Sequence, residues 1–200
     1  MFFVIGLGNP ERRYIGTRHN VGFEVVDSIA QELRISFKAG RGEFLIAFGT
    51  FREKELALVK PTTYMNRSGL AIKEIQEEFG PAPEQLLVVC DDFQLLLGQL
   101  RLRLRGSDGG HNGLYSIIYQ LQSEEFPRLR CGIGSAEMPG DKNLMADFVL
   151  EKFTIKERPV VDDMIERSRD ACLLSLAEGL EATMNKYNKR LQSEEDTPNP

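Results

Sequence analysis

A chain of 200 residues with 42% hydrophobic and 28% charged positions fits one globular domain, and that composition excludes collagen, coiled coil and intrinsic disorder. The 25 Lys and Arg against 30 Asp and Glu leave a net charge of -5, which excludes a general nucleic-acid condenser or a polybasic membrane binder; a nucleic-acid site must be a local basic patch. The apolar start Met1 to Gly6 lacks a basic n-region, and no run approaches the roughly 18 apolar residues of a membrane span. Cys90, Cys131 and Cys172 form no C-x-x-C pair and read as reduced residues in or near the core, which fits a reducing cytoplasm.

Strand-like and helix-like segments alternate, the mark of α/β layering. Phe2 to Leu7 reads as a buried strand. After a loop, Gly8 to Asn20, a helix over Val21 to Ile35 places Val25, Val26, Ile29, Ala30 and Leu33 on one face. Gly40 to Phe51 and Glu55 to Lys60 read as two strands joined by a turn. A polar loop, Thr62 to Arg67, precedes Ser68 as the N-cap of a helix ending near Gly80, with Pro81-Ala82-Pro83 behind it. Leu86 to Cys90 is the next buried strand. In Gln99 to Arg105, Leu100, Leu102 and Leu104 alternate with Arg101, Arg103 and Arg105, so the strand has one apolar and one guanidinium face. A Gly-rich turn, Gly106 to Gly113, leads to a helix bearing Leu114, Ile117, Ile118 and Leu121, then a strand near Leu129 to Gly134 and a loop through Pro139-Gly140-Asp141. Leu144 to about Leu191 is mostly amphipathic helix. The expected organisation is one domain over residues 1–192 and a flexible acidic tail over 193–200.

Both histidines of the chain fall in loops rich in Gly and Asn. His19 ends the loop after the first strand, Asn9 lies at that strand's carboxyl end, and Asp91 at the carboxyl end of the Leu86 to Cys90 strand. Ligands of open α/β sheets bind at such strand ends. An imidazole with a carboxylate partner takes a proton from water near neutral pH, and a neighbouring amide orients the water or the developing oxyanion. Spacing alone does not bring His19 and Asp91 together, and a helix-capping His19 beside a solvated Asp91-Asp92 turn is the other reading. Ser68, Ser107, Ser116 and Ser135 lack a G-x-S-x-G frame, no H-E-x-x-H or Cys pair points to a metal, and Glu11 stands where a dinucleotide fingerprint needs its third Gly.

Arg101, Arg103 and Arg105 would project from one strand face at intervals of roughly 6.6 Å, a reach suited to a phosphate backbone. Charges that keep an edge strand from aggregating explain the same pattern. The turn G-S-D-G-G-H-N-G, residues 106–113, exposes backbone amides that suit an anion, or is a plain glycine turn.

Taken together, V-I-G-L-G-N-P (4–10), T-R-H-N-V-G (17–22), K-P-T-T-Y-M-N-R-S-G (60–69), G-S-D-G-G-H-N-G-L (106–114), R-L-R-C-G-I-G (128–134) and P-G-D-K-N (139–143) resemble bacterial peptidyl-tRNA hydrolase, in order from about residue 3 to residue 190. The resemblance implies a single α/β domain with a mixed, mostly parallel twisted β-sheet surrounded by helices. It further implies a monomer, acting without metal or cofactor, that cleaves the ester between peptide and tRNA and so recycles tRNA from stalled or aborted translation. On it, the catalytic histidine matches His19, its carboxylate partner Asp91, and the water-orienting asparagine Asn9. Substrate-gripping asparagines fall on Asn66 and Asn112, with Tyr14, Met65 and His111 lining the cleft. Arg101, Arg103 and Arg130 lie where basic residues meet the tRNA acceptor arm, and Arg105 extends that patch. The family usually reads Asp-Glu-Leu-Asp followed by prolines, whereas Asp91-Asp92-Phe93-Gln94-Leu95-Leu96-Leu97-Gly98 keeps the spacing but loses the second Asp and both prolines, and Tyr115 stands where Lys is frequent. The expected activity is ester hydrolysis by His-activated water; a non-catalytic RNA-binding module of the same fold is the alternative.

Overall fold

The computed structural model describes residues 1–135, 138 and 142–188, without the side chains of 142 and 143. The apolar N-terminal run forms β1 (Phe2–Gly6), buried from Phe3 onward, in the middle of a seven-stranded sheet ordered β2-β3-β4-β1-β5-β7-β6. The other strands are β2 (Lys38–Ala39), β3 (Phe44–Phe51), β4 (Lys54–Pro61), β5 (Leu86–Leu96), β6 (Leu100–Arg103) and β7 (Arg128–Gly134). A strand covered on both faces needs an apolar side chain at every position, which is why β1 and the first half of β5 read as unbroken hydrophobic runs. Pairs β1–β4, β1–β5 and β5–β7 are parallel; β2–β3, β3–β4 and β6–β7 are antiparallel. Only β3 and β6 therefore run against the rest, giving the mixed, mostly parallel sheet that the sequence implies.

On one face, α1 (Val21–Glu32) packs with α5 (Arg158–Glu178), which in turn carries α6 (Leu180–Tyr187); α2 (Ser68–Phe79) and α3 (Asn112–Leu121) cover the other. Val25, Val26 and Ile29 of α1 are fully buried, each such side chain contributing about 1.5–3 kcal/mol through removal from water. The remaining helix, α4 (Lys142–Leu150), leans on the loop that carries His19. The chain leaves β1 through α1 on one face, passes through the edge strands β2 and β3 to β4, and leaves β4 through α2 on the other face to β5, so the connections after the neighbouring strands β1 and β4 lie on opposite faces. A crevice opens at that switch point, beyond the carboxyl ends of β1 and β4 and beside the middle of β5.

Several boundaries differ from the sequence reading. Helix α1 stops at Glu32 because the chain turns through Arg34, φ 55°. Ser68 is the first residue of α2 rather than its cap: residues Met65–Arg67 already form a short 3-10 turn, and Ser68 Oγ donates to Met65 O at 2.9 Å. Gly80 ends α2 in the left-handed region, φ 60°.

Asp91 does not terminate its strand. Strand β5 continues to Leu96, paired in register with β7 through Asp92 and rejoining it at Leu96 after a shift. Close backbone approach makes this possible, since a Cβ on Gly132 would lie 2.1 Å from Leu96 O and one on Gly134 2.6 Å from Phe93 O. The supposed loop after Asp91 is a bulged strand laid on two glycines.

Strand β6 ends at Arg103, two residues short of the alternating pattern, and Arg105 lies off it in an exposed pair with Glu125 at 3.4 Å. The cause is Arg128, whose buried guanidinium holds the carbonyls of Gly106 and Ser107 and so turns the chain away. Residues 139–141, at the Pro-Gly-Asp turn, and the tail over 193–200 lie outside the described residues.

Candidate active site

Two glycines bring the first loop onto the end of the sheet. A Cβ on Gly6 would lie 2.2 Å from Gly22 O, and one on Gly22 2.5 Å from Val89 O, so α1 can start directly over β1 and β5. The preceding His19-Asn20 segment is thereby held at the crevice. Asn20 lies back along the chain: its Oδ1 accepts the Asn9 N–H at 2.9 Å and its Nδ2 donates to Asn9 O at 2.9 Å. At the N-cap position of α1 it consequently makes no capping bond.

Asn9 is oriented in turn by the Met65 N–H, which donates to its Oδ1 at 2.9 Å. With its oxygen so occupied, the amide presents its Nδ2 donors to a cavity of about 370 Å³ lined by Asn9, Tyr14, His19, Met65, Asn66 and Asn112. The structure thus gathers six residues singled out in the sequence around one space. Met65 is buried there, while Asn66 and Asn112 are exposed at its rim.

The imidazoles supply the charge-bearing part. His19 Nδ1 lies 2.8 Å from Asp91 Oδ1, and His111 Nε2 lies 3.0 Å from the same oxygen; all three residues are buried. His111 Nδ1 accepts the Gly113 and Leu114 N–H groups at 3.1 and 3.2 Å, capping α3. Its proton must then sit on Nε2, donated to Asp91. His19 likewise donates Nδ1–H to the carboxylate, which leaves its Nε2 bare toward the cavity. Burial alone would depress the pKa of His19, but the charge of Asp91 and the hydrogen bond to it outweigh burial and raise it above 6.5. Burial alone would raise Asp91, yet the two imidazoles reverse this and hold the carboxyl far below the usual carboxylate range. The arrangement can remove a proton from a water molecule and steady the resulting imidazolium.

His19, Asp91 and His111 place three possible ligand atoms within 4.8 Å of one another. The donor set suits hydrogen bonding better than a metal. Ligation through His111 Nε2 would require either an imidazolate or loss of the two backbone donors that hold Nδ1.

The basic residues share one face of β6 and β7. Arg101 stands opposite Arg130 and Arg103 opposite Arg128. Like charges facing each other repel, and Asp92 relieves the first pair through a 2.6 Å contact with Arg130. Arg128 is buried, its guanidinium spent on the carbonyls of Gly106, Ser107, Glu124 and Phe126 and stacked 4.2 Å over the Phe126 ring. Arg101 and Arg103 have no ion-pair or hydrogen-bond partner among the described residues, while Leu102 on the same edge strand is covered by Asn188, which bonds its N–H at 2.7 Å and its carbonyl at 3.0 Å.

Sequence reasoning missed Asn20, Arg18 and Arg128. Arg18, next to His19, makes a two-pronged contact with Glu157 at 3.1 Å, donates to Lys152 O at 3.0 Å and lies over the rings of Phe148 and Phe153. It ties the segment after α4 to the catalytic loop. Nothing local in the sequence marks it, because its hydrogen-bond partners lie 134 and 139 residues away.

Fold and site define a class of single-domain α/β proteins with a carboxylate-fixed histidine at the switch point of the sheet. The chain belongs to the peptidyl-tRNA hydrolase family, whose model, described as peptidyl-tRNA hydrolase, matches residues 3–196. It is 48% identical to the peptidyl-tRNA hydrolase of Chlorobaculum parvum over 189 residues, 94% of this chain and 98% of that one. Identity to the enzyme of that name from Chlorobium luteolum is 49% over 189 residues, with the same shares covered. The crystal structure of peptidyl-tRNA hydrolase from Acinetobacter baumannii matches with a TM-score of 0.88 at 33% identity, covering 94% of each chain. No described helix is long and apolar enough to cross a membrane.

Proposed function

We propose that the protein hydrolyses the ester joining a peptide to the 3′-terminal ribose of tRNA, as a cytoplasmic monomer that returns tRNA from stalled or aborted translation. The observation that carries the reading is the 2.8 Å contact of His19 Nδ1 with the Asp91 carboxylate, which leaves Nε2 as the nitrogen free to act in the cavity that His19 and Asn9 both line. His19 Nε2 takes a proton from water as the water oxygen bonds to the ester carbonyl carbon. Asn9 Nδ2 donates to the oxygen that gains negative charge. The tetrahedral intermediate then expels the ribose oxygen, which receives the proton from the imidazolium, leaving free tRNA and the peptide's carboxylic acid, which loses its proton to water. Cys90, Cys131 and Cys172 are buried, and burial pushes their thiols up, Cys131 to about 12, so none is an activated nucleophile. Asn66 and Asn112 grip the peptide, and Arg101, Arg103, Arg105 and Arg130 face the acceptor arm.

Multiple-turnover release of N-acetyl-amino acid from N-acetyl-aminoacyl-tRNA tests the reading. Steady release that His19→Ala abolishes supports it; stoichiometric binding without release by the wild-type protein would make the chain a non-catalytic RNA-binding module.

A further inference from the structure

Asp91 pins one nitrogen of the His19 ring, but a ring pinned at Nδ1 can still swing, and where Nε2 comes to rest depends on where the backbone holds the residue. Arg18, His19 and Asn20 form a single 3-10 turn, whose three residues per turn send their side chains in different directions. Asn20 is tied to Asn9 and His19 to Asp91. Arg18 reaches instead into a site built by α4 and the segment after it.

That site is shaped for a guanidinium. Nη2 meets both oxygens of Glu157 at 3.1 Å and Nη1 donates to Lys152 O at 3.0 Å, while the central carbon lies 4.4 Å from the centroid of the Phe148 ring and 5.4 Å from that of Phe153. Only 5% of the Arg18 side chain is exposed, and a charge taken that far from water persists only when it is paired and hydrogen-bonded. Glu157 is itself held in place: the Thr154 N–H donates to its Oε2 at 2.7 Å, and its own N–H donates to Thr154 Oγ1 at 3.3 Å, the reciprocal bonds of a helix start. The next residue, Arg158, pairs at 2.6 Å with Glu24 on the first turn of α1. The start of α5 therefore grips the chain on both sides of His19, at Arg18 with a carboxylate and at Glu24 with a guanidinium. Arg18 N also donates to Glu151 O at 3.0 Å, so backbone and side chain of the residue before His19 are both fixed.

Burying an ion pair is a poor way to gain stability, because apolar side chains of similar volume often do as well or better. What a guanidinium adds is geometry, since a rigid plane held by a carboxylate, a carbonyl and two rings has one orientation. Resting on the peptidyl-tRNA hydrolase reading, we propose that Arg18 is a positioning residue for the chemical step, holding the His19 backbone against the start of α5 so that Nε2 is aimed at the attacking water. It touches no substrate and moves no proton. Misplacing a reacting group by about 1 Å costs on the order of 100-fold in rate, so the loss of Arg18 should be read in kcat.

The test separates aim from stability. Turnover of N-acetyl-aminoacyl-tRNA, its pH and salt dependence, and the urea midpoint are measured for the wild type, Arg18→Lys, Arg18→Met and the double variant Arg18→Met with Glu157→Gln. Arg18→Lys keeps the charge and loses the plane; kcat should fall roughly 10- to 100-fold with KM within about twofold of the wild type. The salt slope and the acid limb should not move, because the arginines of β6 and β7 and the Asp91 contact are untouched. Arg18→Met leaves Glu157 without its partner and should lower the urea midpoint as well. The double variant replaces the pair by uncharged groups, with a Gln oxygen still able to accept the Thr154 N–H, so its midpoint should recover while kcat stays low. Thr183→Ala, which breaks buried hydroxyl bonds between α5 and α6, should lower the midpoint and leave kcat as it was. Wild-type kcat in the double variant or in Arg18→Lys overturns the assignment, since Arg18 then only holds the fold. A loss confined to KM, or a flatter salt slope, overturns it by making Arg18 a contact of the RNA, and a displaced acid limb by making it act through the charge of His19. Should Arg18→Met fail to fold, Arg18→Lys and the double variant decide by the same comparison. A wild type that does not turn over overturns the hydrolase reading and this inference with it, whereas turnover unaffected by Arg18 removes the inference alone.

Discussion

The imidazoles of His19 and His111 converge on one oxygen of Asp91, at 2.8 and 3.0 Å, with ring centroids 4.8 Å apart. Their other nitrogens distinguish them. His111 has its Nδ1 occupied by two backbone N–H groups, whereas His19 Nε2 faces open space. A shared acceptor holds both rings, yet only one can act as a base.

Substitution should separate the two roles. His19→Ala is expected to lower kcat by about 100- to 10,000-fold, the usual worth of a positioned base, with tRNA affinity nearly unchanged. His111→Ala loses the α3 cap and should destabilise the fold by about 0.5–2 kcal/mol, read as a lower urea midpoint. His111→Asn restores a capping oxygen without reaching Asp91, so its stability should recover while turnover stays reduced. Equal kcat losses for His19→Ala and His111→Asn would contradict the division of labour.

The pH profile follows from the same oxygen. His19 has to be neutral to accept a proton, so kcat/KM should fall as pH drops through its raised pKa, with a midpoint above 6.5. An Asn at 91 keeps one oxygen able to accept both imidazole N–H groups but removes the charge. The charge then no longer opposes burial, and Asp91→Asn should move the acid limb to lower pH while lowering the plateau. An unmoved limb would dissociate Asp91 from His19 ionisation. Stability has the opposite sense. The raised His19 pKa stabilises the fold fully below its unfolded value of about 6.5, and that contribution is lost as pH rises through the folded value. Asp91, depressed in the fold, stabilises above its ordinary carboxylate value and ceases to as pH falls through the folded one.

What the sequence showed and what it hid have physical reasons. Period and punctuation located β1, α1, α2 and β7 to within a few residues, because each buries a continuous face or stops at Gly or Pro. The fate of Asp91 was hidden, because whether a strand continues past a charged pair depends on its neighbour, here Gly132 and Gly134 of β7. Arg128 and Arg130 are two residues apart and identical in type, yet one is a buried clamp on four carbonyls and the other an ion-paired surface group. Residue type at local spacing carries no sign of that difference. Asn9 and His19 were legible as candidates because they lie just beyond the carboxyl end of β1, where an open sheet puts its ligands, whereas Asp91 was picked out for a strand end that the fold does not have there.

The clamp itself is testable. Arg128 fills its donors with backbone oxygens that would otherwise be buried unpaired, so Arg128→Met should destabilise by about 3–5 kcal/mol. Arg128→Lys, with fewer donors, should fall between. Chemical denaturation measures both, and a loss under 1 kcal/mol in Arg128→Met would mean that water satisfies those carbonyls.

Salt dependence distinguishes an RNA-facing strand from an edge guarded only against aggregation. Asn188 already covers the Leu102 backbone, and the guanidiniums of Arg101 and Arg103 have no ion-pair or hydrogen-bond partner among the described residues. Arg101→Gln or Arg103→Gln should raise KM for peptidyl-tRNA and reduce the slope of log K against log salt by about one unit per lost phosphate contact. Arg105, paired with Glu125 at 3.4 Å, should contribute less. An unchanged slope in both β6 variants would return the strand to edge protection.

Selectivity against aminoacyl-tRNA has to be read at one nitrogen, since that molecule carries the same ester on the same nucleic acid and differs by a free ammonium in place of a peptide amide. Asn66 and Asn112 stand at the rim of the cavity that holds the bare Nε2 of His19, each with a carbonyl acceptor and amide donors. Together they can bond the carbonyl and the N–H of an acylated nitrogen. A free ammonium lacks that carbonyl and must shed its hydration shell, which leaves a donor of the site unpaired; polar sites reject such ligands far better than apolar pockets do. Asn66→Ala or Asn112→Ala should therefore cost about 1–3 kcal/mol of transition-state stabilisation on N-acetyl-aminoacyl-tRNA, the penalty for an unpaired polar group. The free-amine substrate should lose less, so that the ratio of the two kcat/KM values narrows. If both variants keep the wild-type ratio, the nitrogen is recognised elsewhere, and the remaining polar group of that cavity with a fixed donor, Asn9, becomes the next one to replace.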